Sequence, residues 1–356
     1  MTGTMFPEAH SLINNAALFR SLFSWSQIFN FVFGYPVSIN LLITNRCNLK
    51  CKICSAKLND ASASEISKEE LIKFFEQIKW LRPSFFIGGG EPFMREDIFD
   101  IITYLNQLKL RFGLVTNGTL LNADKIFRLL NLNPRILVFS LHGDEKVHDN
   151  VTCVTGSYLR CCESIKAAVK RRKSTKIILN CVINNQNFRE LENMIILGKK
   201  LGVDRVRFEQ LIFLTKDEYD EHLKMCKEFS LTGGEILTYI KKSDEPLIGE
   251  ELKLSIPRLQ KKYGKFVVFK PYLQNDEIRR WYKNKFNLKR RCLFSKHSIF
   301  IKHNGDVIPC QFFPNYRLGN INSNKLENIW QNDKHKLFQR ILGKKLMPGC
   351  MRCCKL

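Results

Sequence analysis

Acidic residues are scarce in this chain. Thirty-four Asp and Glu stand against 57 Lys and Arg, leaving a formal net charge of +23. The imbalance favours an anionic partner: nucleic acid, a phosphorylated substrate, an acidic peptide or an anionic membrane. A lysine-rich solvated surface is the simpler alternative. The basic residues concentrate at 170–173, 261–270 and 279–291. No basic motif interleaved with aromatics, of the kind that marks an RNA-binding module, is present, so nucleic acid is not favoured. Nor is there an apolar run of about 20 residues, which excludes a conventional membrane-spanning helix. The nearest approach is 17–33. Read as a helix, it sets Leu18, Leu22, Trp25, Phe29 and Val32 on one face. It has no basic leader region or small-residue cleavage site, so a secretory signal is not expected. It could pack on the protein, make a dimer or lie on a membrane surface. Its single charge, Arg20, favours packing over peripheral membrane contact. The expected location is cytoplasmic, at most at the inner membrane face. Internal repeats and low-complexity tracts are also absent.

A secreted disulfide framework is missing too. The 13 cysteines are odd in number and gather near Cys47, near Cys161 and at the C-terminus. Metal or redox use in a reducing compartment fits that distribution better. The tightest group is Cys47-Asn48-Leu49-Lys50-Cys51-Lys52-Ile53-Cys54, a C-x3-C-x2-C spacing. Three thiolates on one loop can hold three irons of a cubane cluster and leave the fourth open for chemistry. Packed or zinc-binding cysteines are the plainer reading. A chain of 356 residues is long enough for a large core and two domains.

Residues 37–44 read as a buried strand that leads into this loop. Ser67 and Glu70 form a capping box ahead of Leu71, Phe74, Phe75 and Ile78, which starts a helix. Strands are expected at 85–87, 112–115, 135–141, 176–183 and 203–209. Helices are expected at 98–108, 123–130, 157–172 and 188–201, with a final one near 217–229. Strands alternating with helices of this length predict βαβ units and a parallel sheet of six strand–helix steps, short of a closed barrel. Residues 231–290 read as a basic helical linker without sheet periodicity. Beyond Cys292, 298–302 and 306–309 read as two short strands around the turn His303-Asn304-Gly305. The expected division is an extension over 1–36, a core over 37–230, a linker over 231–290 and a small α+β domain over 291–356.

Four features fall at the ends of successive strands: the cysteine loop, Gly89-Gly90-Glu91-Pro92, Thr116-Asn117-Gly118 and Ser140. In parallel α/β architectures active sites form at that edge. Together these residues resemble the radical SAM superfamily over about 37–210. The resemblance implies a partial (β/α)6 barrel of TIM-like type. It implies a 4Fe-4S cluster on Cys47, Cys51 and Cys54, with S-adenosylmethionine (SAM) on the open iron. Reductive cleavage of SAM would give a 5′-deoxyadenosyl radical that abstracts hydrogen from an unactivated C–H bond. Gly89, Gly90 and Glu91 match the family's contact to the SAM amino group. Asn117, Ser140 and Asn180 are further SAM-contact candidates, although Asn117 begins an ordinary Asn-Gly turn and Asn180 could be a satisfied strand residue. Two departures stand out. Ile53 replaces an aromatic that stacks near adenine in many relatives. Val151-Thr152-Cys153 stands where many relatives carry a basic residue, which leaves the partner of the SAM carboxylate open. His142, His148 and Asp149 read more readily as structural than as active-site groups.

The C-terminal pattern is Cys292, twelve residues, Gly305, four residues, Cys310, then Leu318-Gly319-Asn320-Ile321 and Cys350-x2-Cys353. It resembles the twitch domain, a shortened SPASM domain. The resemblance implies one auxiliary 4Fe-4S cluster on Cys292, Cys310, Cys350 and Cys353. Cys354 leaves the fourth ligand ambiguous, and a four-cysteine zinc site is the alternative. A fully ligated cluster suits electron transfer, including electrons taken from flavodoxin or ferredoxin. Cys161, Cys162 and Cys181 read as core.

The function expected is hydrogen abstraction from an anionic small-molecule, sugar or lipid-linked substrate. The alternative within the class is a ribosomal-peptide or protein maturase forming thioethers, epimers or oxidised residues. No N-terminal peptide-recognition domain is evident, which favours the small molecule. An RNA-modifying enzyme and a non-catalytic electron carrier are the readings from other classes.

Overall fold

The computed structural model describes residues 34–54, 56, 64–236, 239–240, 246–283 and 286–356. The amphipathic 17–33 segment lies outside the described residues. In chain order the strands are β1 (Ser38–Thr44), β2 (Ser84–Gly89), β3 (Phe112–Thr116), β4 (Ile136–Ser140), β5 (Lys176–Ile183), β6 (Arg205–Gln210), β7 (Phe213–Leu214), β8 (Tyr239–Ile240), β9 (Val267–Lys270), β10 (Ser298–Ile301), β11 (Asp306–Ile308) and β12 (Gly319–Asn320). The helices are α1 (Lys68–Ile78), α2 (Ile98–Gln107), α3 (Ala123–Asn131), α4 (Glu145–Thr152), α5 (Ser157–Arg171), α6 (Leu191–Leu201), α7 (Lys216–Glu228), α8 (Pro246–Tyr263), α9 (Asn275–Trp281), α10 (Leu326–Gln331) and α11 (Asp333–Lys344).

The first six strands lie side by side in chain order, all parallel, each followed by helical crossovers. Their apolar runs suit a sheet covered on one side by helices and filled on the other. Ile39, Leu41 and Ile43 of β1 are buried, as are Leu137, Val138 and Phe139 of β4. Helices α1, α3, α4, α7 and α11 begin where short polar side chains cap free N–H groups. The Ser67/Glu70 capping box is present, and Thr215 with Glu218 forms another at α7. Cys161, Cys162 and Cys181 are buried in the core, as expected.

Three features depart from the sequence expectation. The 231–290 stretch supplies β9, which pairs in parallel with β6 and forms one sheet edge. Val267-Val268-Phe269-Lys270 is too short to announce a strand by period, and its partner is distant in sequence. The helix α4 was not expected, although Asp144 caps it by accepting from the Val147 N–H at 2.8 Å. Finally, the C-terminal strands are not a detached unit. β10 pairs in parallel with β1 through Ser38↔Ser298 and Leu41↔Ile301, and β11 and β12 continue the sheet antiparallel. The ten-stranded order is β12-β11-β10-β1-β2-β3-β4-β5-β6-β9.

The C-x2-C segment is fixed from below by a buried ion pair. Arg352, 1% exposed, donates to Glu218 Oε2 at 2.6 Å, to the Trp281 carbonyl at 2.6 Å and to the Lys283 carbonyl at 2.6 Å. Its guanidinium lies 4.3 Å from the centroid of the Phe213 ring. The C-terminus is thereby tied to α7 and α9. Among the described residues, no helix is long and apolar enough to cross a membrane.

Candidate functional site

The strand ends of β1 to β5 open onto one cavity of about 440 Å³. Cys47, Cys51 and Cys54 line it from the loop after β1. The Gly88–Glu91 run, Asn117, Ser140 and Asn180 line it from the next four strands. All nine residues expected around the first cofactor site thus share one cavity. Ser140 and Asn180 are register partners on β4 and β5. Asn180 accepts a 2.6 Å hydrogen bond from Arg207 Nε.

The loop is held by its neighbours. The Gly90 N–H donates to the Thr44 carbonyl and the Glu91 N–H to the Arg46 carbonyl, both at 2.8 Å. A Cβ at Gly90 would sit 2.1 Å from the Arg46 oxygen, and one at Gly89 2.5 Å from the Thr44 oxygen. Gly89 also has φ +114. The glycines are therefore required by the backbone of the cysteine loop itself, as well as opening space along the cavity. On the opposite side, Lys50 and Lys52 N–H groups donate to the Thr152 and Val151 carbonyls at the end of α4. The segment that lacks the basic residue of many relatives thus buttresses the cysteine loop. Arg95, buried behind β1, donates to the Ile43 carbonyl at 3.2 Å.

Glu91 is fully buried. Its carboxylate accepts from Thr116 Oγ1 at 2.7 Å, the Asn117 N–H at 2.7 Å and the Phe93 N–H at 3.3 Å. Burial pushes its pKa up to about 7 against the pull of those donors. It ties the end of β2 to the end of β3 and retains lone-pair capacity for one more donor. Asn117 donates to Asn48 Oδ1 at 2.9 Å, and Asn48 donates to Thr119 Oγ1 at 2.8 Å. Asn48 and Thr119 carry no motif and were missed. Only the fold brings them together across a gap of 71 residues.

His142 and His148 stack with ring centroids 5.7 Å apart. His142 Nδ1 accepts from the Val182 N–H and His148 Nδ1 from the His142 N–H. Burial pushes their pKa values down to about 3 and about 4, so both rings are neutral. Asp149 accepts from Gly156, Ser157 and Tyr158 at the start of α5. The contacts of Asp149 are structural, while His142 and His148 also contribute cavity wall. Ile53 also forms part of that wall.

The same cavity reaches the C-terminal strands, where Lys302, His303, Gln311, Phe312 and Lys355 complete it. Behind Phe312 and Lys355 is a second, nearly closed pocket of about 20 Å³. It is lined by Cys292, Cys310, Cys350 and Cys353 with Phe294, Phe313 and Phe338. Cys354 does not line it, which favours the first four as the ligand set over any set including Cys354. Phe312 and Lys355 touch both spaces.

The thiols fit iron–sulfur clusters. Burial, then repulsion from Cys54 and Cys47, pushes Cys51 up to about 12, and burial also raises Cys47. Burial takes Cys310 up to about 12 and raises Cys350. Clustered buried thiols stay protonated without a cationic partner, and soft iron supplies one. Among the described residues, no three His, Cys, Asp or Glu side chains converge as a single-ion site. Four soft thiols around one pocket can ligate every iron of a cubane.

The family model described as the radical SAM superfamily matches residues 41–197, and that of an iron–sulfur cluster-binding domain matches 292–354. The chain is 24% identical over 344 residues to a tungsten-containing aldehyde ferredoxin oxidoreductase cofactor-modifying protein of Pyrococcus furiosus. That alignment covers 88% of this chain and 86% of the relative. It is 25% identical over 323 residues to an AdoMet-dependent heme synthase of Methanosarcina barkeri, again with 88% and 86% covered. Among solved structures, Streptococcus suis SuiB bound to the precursor peptide SuiA has a TM-score of 0.66. It is 16% identical, with 99% of this chain and 78% of that chain covered. SuiB bound to S-adenosylmethionine has a TM-score of 0.64 at 19% identity, covering 86% and 68%. The expected fold class, a parallel α/β radical SAM core with an iron–sulfur C-terminal domain, is the one found.

Proposed function

This chain belongs to the radical SAM superfamily, and from that premise we propose that it abstracts hydrogen from a C–H bond of an anionic small molecule held between two iron–sulfur clusters. The superfamily's cofactors are a 4Fe-4S cluster with SAM, and the C-terminal domain adds auxiliary iron–sulfur chemistry. Cys47, Cys51 and Cys54 would hold the first cluster. Cys292, Cys310, Cys350 and Cys353 would hold a single auxiliary one. When bound, the first cluster and SAM supply one-electron reductive cleavage of SAM and hence a strong hydrogen-atom abstractor.

The protein's own part is to bind, orient and exclude water. In this reading Gly89, Gly90, Glu91, Asn117, Ser140 and Asn180 form the SAM cradle. Glu91 offers its remaining lone pair to the SAM ammonium while keeping β2 and β3 in register. The apolar wall of Leu41, Ile53, Val115 and Phe312 shields the reacting region from solvent.

One observation carries the substrate class. The cavity lining includes two lysines, Lys302, which donates to the Pro314 carbonyl at 3.4 Å, and Lys355, while Glu91 is the one carboxylate among its described lining residues and is occupied by three donors. A carboxylate or phosphate on the substrate would answer them. The test uses reconstituted protein with dithionite and SAM under anaerobic conditions. Cell metabolites are fractionated on an anion exchanger, and each fraction is assayed for stimulated 5′-deoxyadenosine formation. The stimulating fraction is expected to be retained, and Lys302→Gln to lose the stimulation but keep the uncoupled cleavage. A stimulating fraction that flows through refutes the anionic reading. Absence of any 5′-deoxyadenosine refutes the enzymatic one. The second reading is peptide maturation, for which the peptide-bound SuiB neighbour is the supporting observation. In that case, protease treatment of the extract abolishes the stimulation.

A further inference from the structure

A second concave surface lies outside the cavity between the clusters. It is an open groove of about 630 Å³ lined by Lys289, Arg290, Arg291, Lys344, Lys345 and the exposed Leu293, among others. No acidic side chain is among its described lining residues. Glu277 neutralises Arg290 from outside, at 2.8 Å. A comparably sized groove between α6 and α8 is different. There Arg189 pairs with Glu251, and Arg258 and Lys262 pair with Glu192, so the charge is spent locally.

The basic groove adjoins the auxiliary cysteines. Arg291 and Leu293 flank Cys292. The Cys292 N–H donates to the Leu342 carbonyl at 3.0 Å, two residues before Lys344. Met351, next to Cys350, lines the groove, and its sulfur accepts from the Leu288 N–H at 3.3 Å. Groove-lining residues thus stand next in sequence to two of the four pocket cysteines, Arg291 and Leu293 beside Cys292 and Met351 beside Cys350.

We propose that this groove is the docking surface for a small acidic one-electron carrier protein, which delivers electrons to the auxiliary cluster. The proposal rests on the four-cysteine cluster reading above. In each encounter one electron passes from the reduced carrier, of flavodoxin or ferredoxin class, to the auxiliary cluster. The carrier is oxidised by one electron and no proton need move. Charge complementarity selects the occupant. A basic rim steers an acidic protein, orients it and suppresses basic competitors, and Leu293 gives the contact an apolar centre.

The test is surface plasmon resonance on anaerobically reconstituted full-length enzyme. The probes are oxidised flavodoxin and a plant-type ferredoxin, each at low and physiological salt. The groove is altered with K289E, K344E and K345E combined. A control combines K170E, K173E and K200E, at exposed lysines near the C-terminal ends of α5 and α6. The groove triple is expected to weaken carrier binding at least about tenfold at low salt, and the control to change it less than about twofold. Dithionite-driven SAM cleavage should remain within about twofold in both, because it bypasses the carrier. Unchanged carrier binding by the groove triple overturns the proposal. So does a triple that loses affinity for anionic vesicles or tRNA while both carriers bind as before. Wild-type protein that binds carriers but cannot cleave SAM with dithionite would instead contradict the proposed function.

Discussion

Arg352 offers the sharpest quantitative test of how the C-terminal cysteines are held. It lies inside the C-x2-C segment, is 1% exposed, and pairs with a Glu218 whose side chain is 5% exposed. Replacing it with Met keeps much of the volume but removes three charge-assisted hydrogen bonds and strands the Glu218 carboxylate. Glu218 would keep the Phe286 N–H at 3.0 Å and the Thr215 N–H at 2.9 Å, so its desolvation is only partly compensated. Breaking one partner of a buried pair costs about 3–5 kcal/mol. For a chain of this size that corresponds to a fall of about 4–7 °C in apparent melting temperature. Because Arg352 positions Cys350 and Cys353, R352M should also lose auxiliary iron, falling from about eight irons per chain to about four. The double variant R352M/E218M should recover much of the melting temperature, since no charge is left stranded. Differential scanning fluorimetry and iron quantification read both effects. An R352M protein with full iron and a melting temperature within about 2 °C of wild type would refute the argument.

Three further outcomes follow from the cavity walls. Gly90→Ala places a Cβ 2.1 Å from the Arg46 carbonyl. It should cost the first cluster, leaving about four irons per chain, with near-UV and electron paramagnetic signals of the auxiliary cluster retained. Cys353→Ser should lose the auxiliary cluster, whereas Cys354→Ser, outside the pocket, should keep about eight irons by the same measurement. The third concerns pH. Glu91 has a folded pKa of about 7, above its ordinary 4.5. Between those values the folded state binds more protons than the unfolded one, so its contribution to stability is present at low pH and disappears as pH rises through 7. Apo protein should therefore show a stability decline from about pH 5 to about pH 7.5 that Glu91→Gln flattens, followed by urea denaturation. A slope unchanged in Glu91→Gln would contradict this assignment.

Much of the core was legible because its signals are local. The apolar runs of β1 to β6 and the capping residues of α1 lie within a few positions of one another. So do Cys47, Cys51 and Cys54, and each pattern needs only its own segment to be read. β9 was illegible because four residues carry too little period and its partner β6 lies some sixty residues upstream. Gly89 and Gly90 match the family's contact to the SAM amino group. The structure adds a requirement from the cysteine loop, since the clash partners are carbonyls of Thr44 and Arg46. Asn48, Thr119 and Arg352 could not be singled out, because a polar residue announces its role only when its partner is known.

By itself, then, the sequence determined the chemistry available: soft thiolates at two fixed spacings and a parallel sheet whose loops gather at one edge. Short-range sterics and hydrophobic period are enough for that. Tertiary structure alone decided that β10 lies beside β1, so that the C-terminal domain closes the cavity begun by the cysteine loop. It alone brought Lys302 and Lys355 into the lining of that cavity and gathered a basic groove from residues next in sequence to Cys292 and Cys350. The pairing of β10 with β1 joins segments some 260 residues apart, and the groove joins segments about 50 to 63 apart. Their energies come from burying surfaces that no single segment carries.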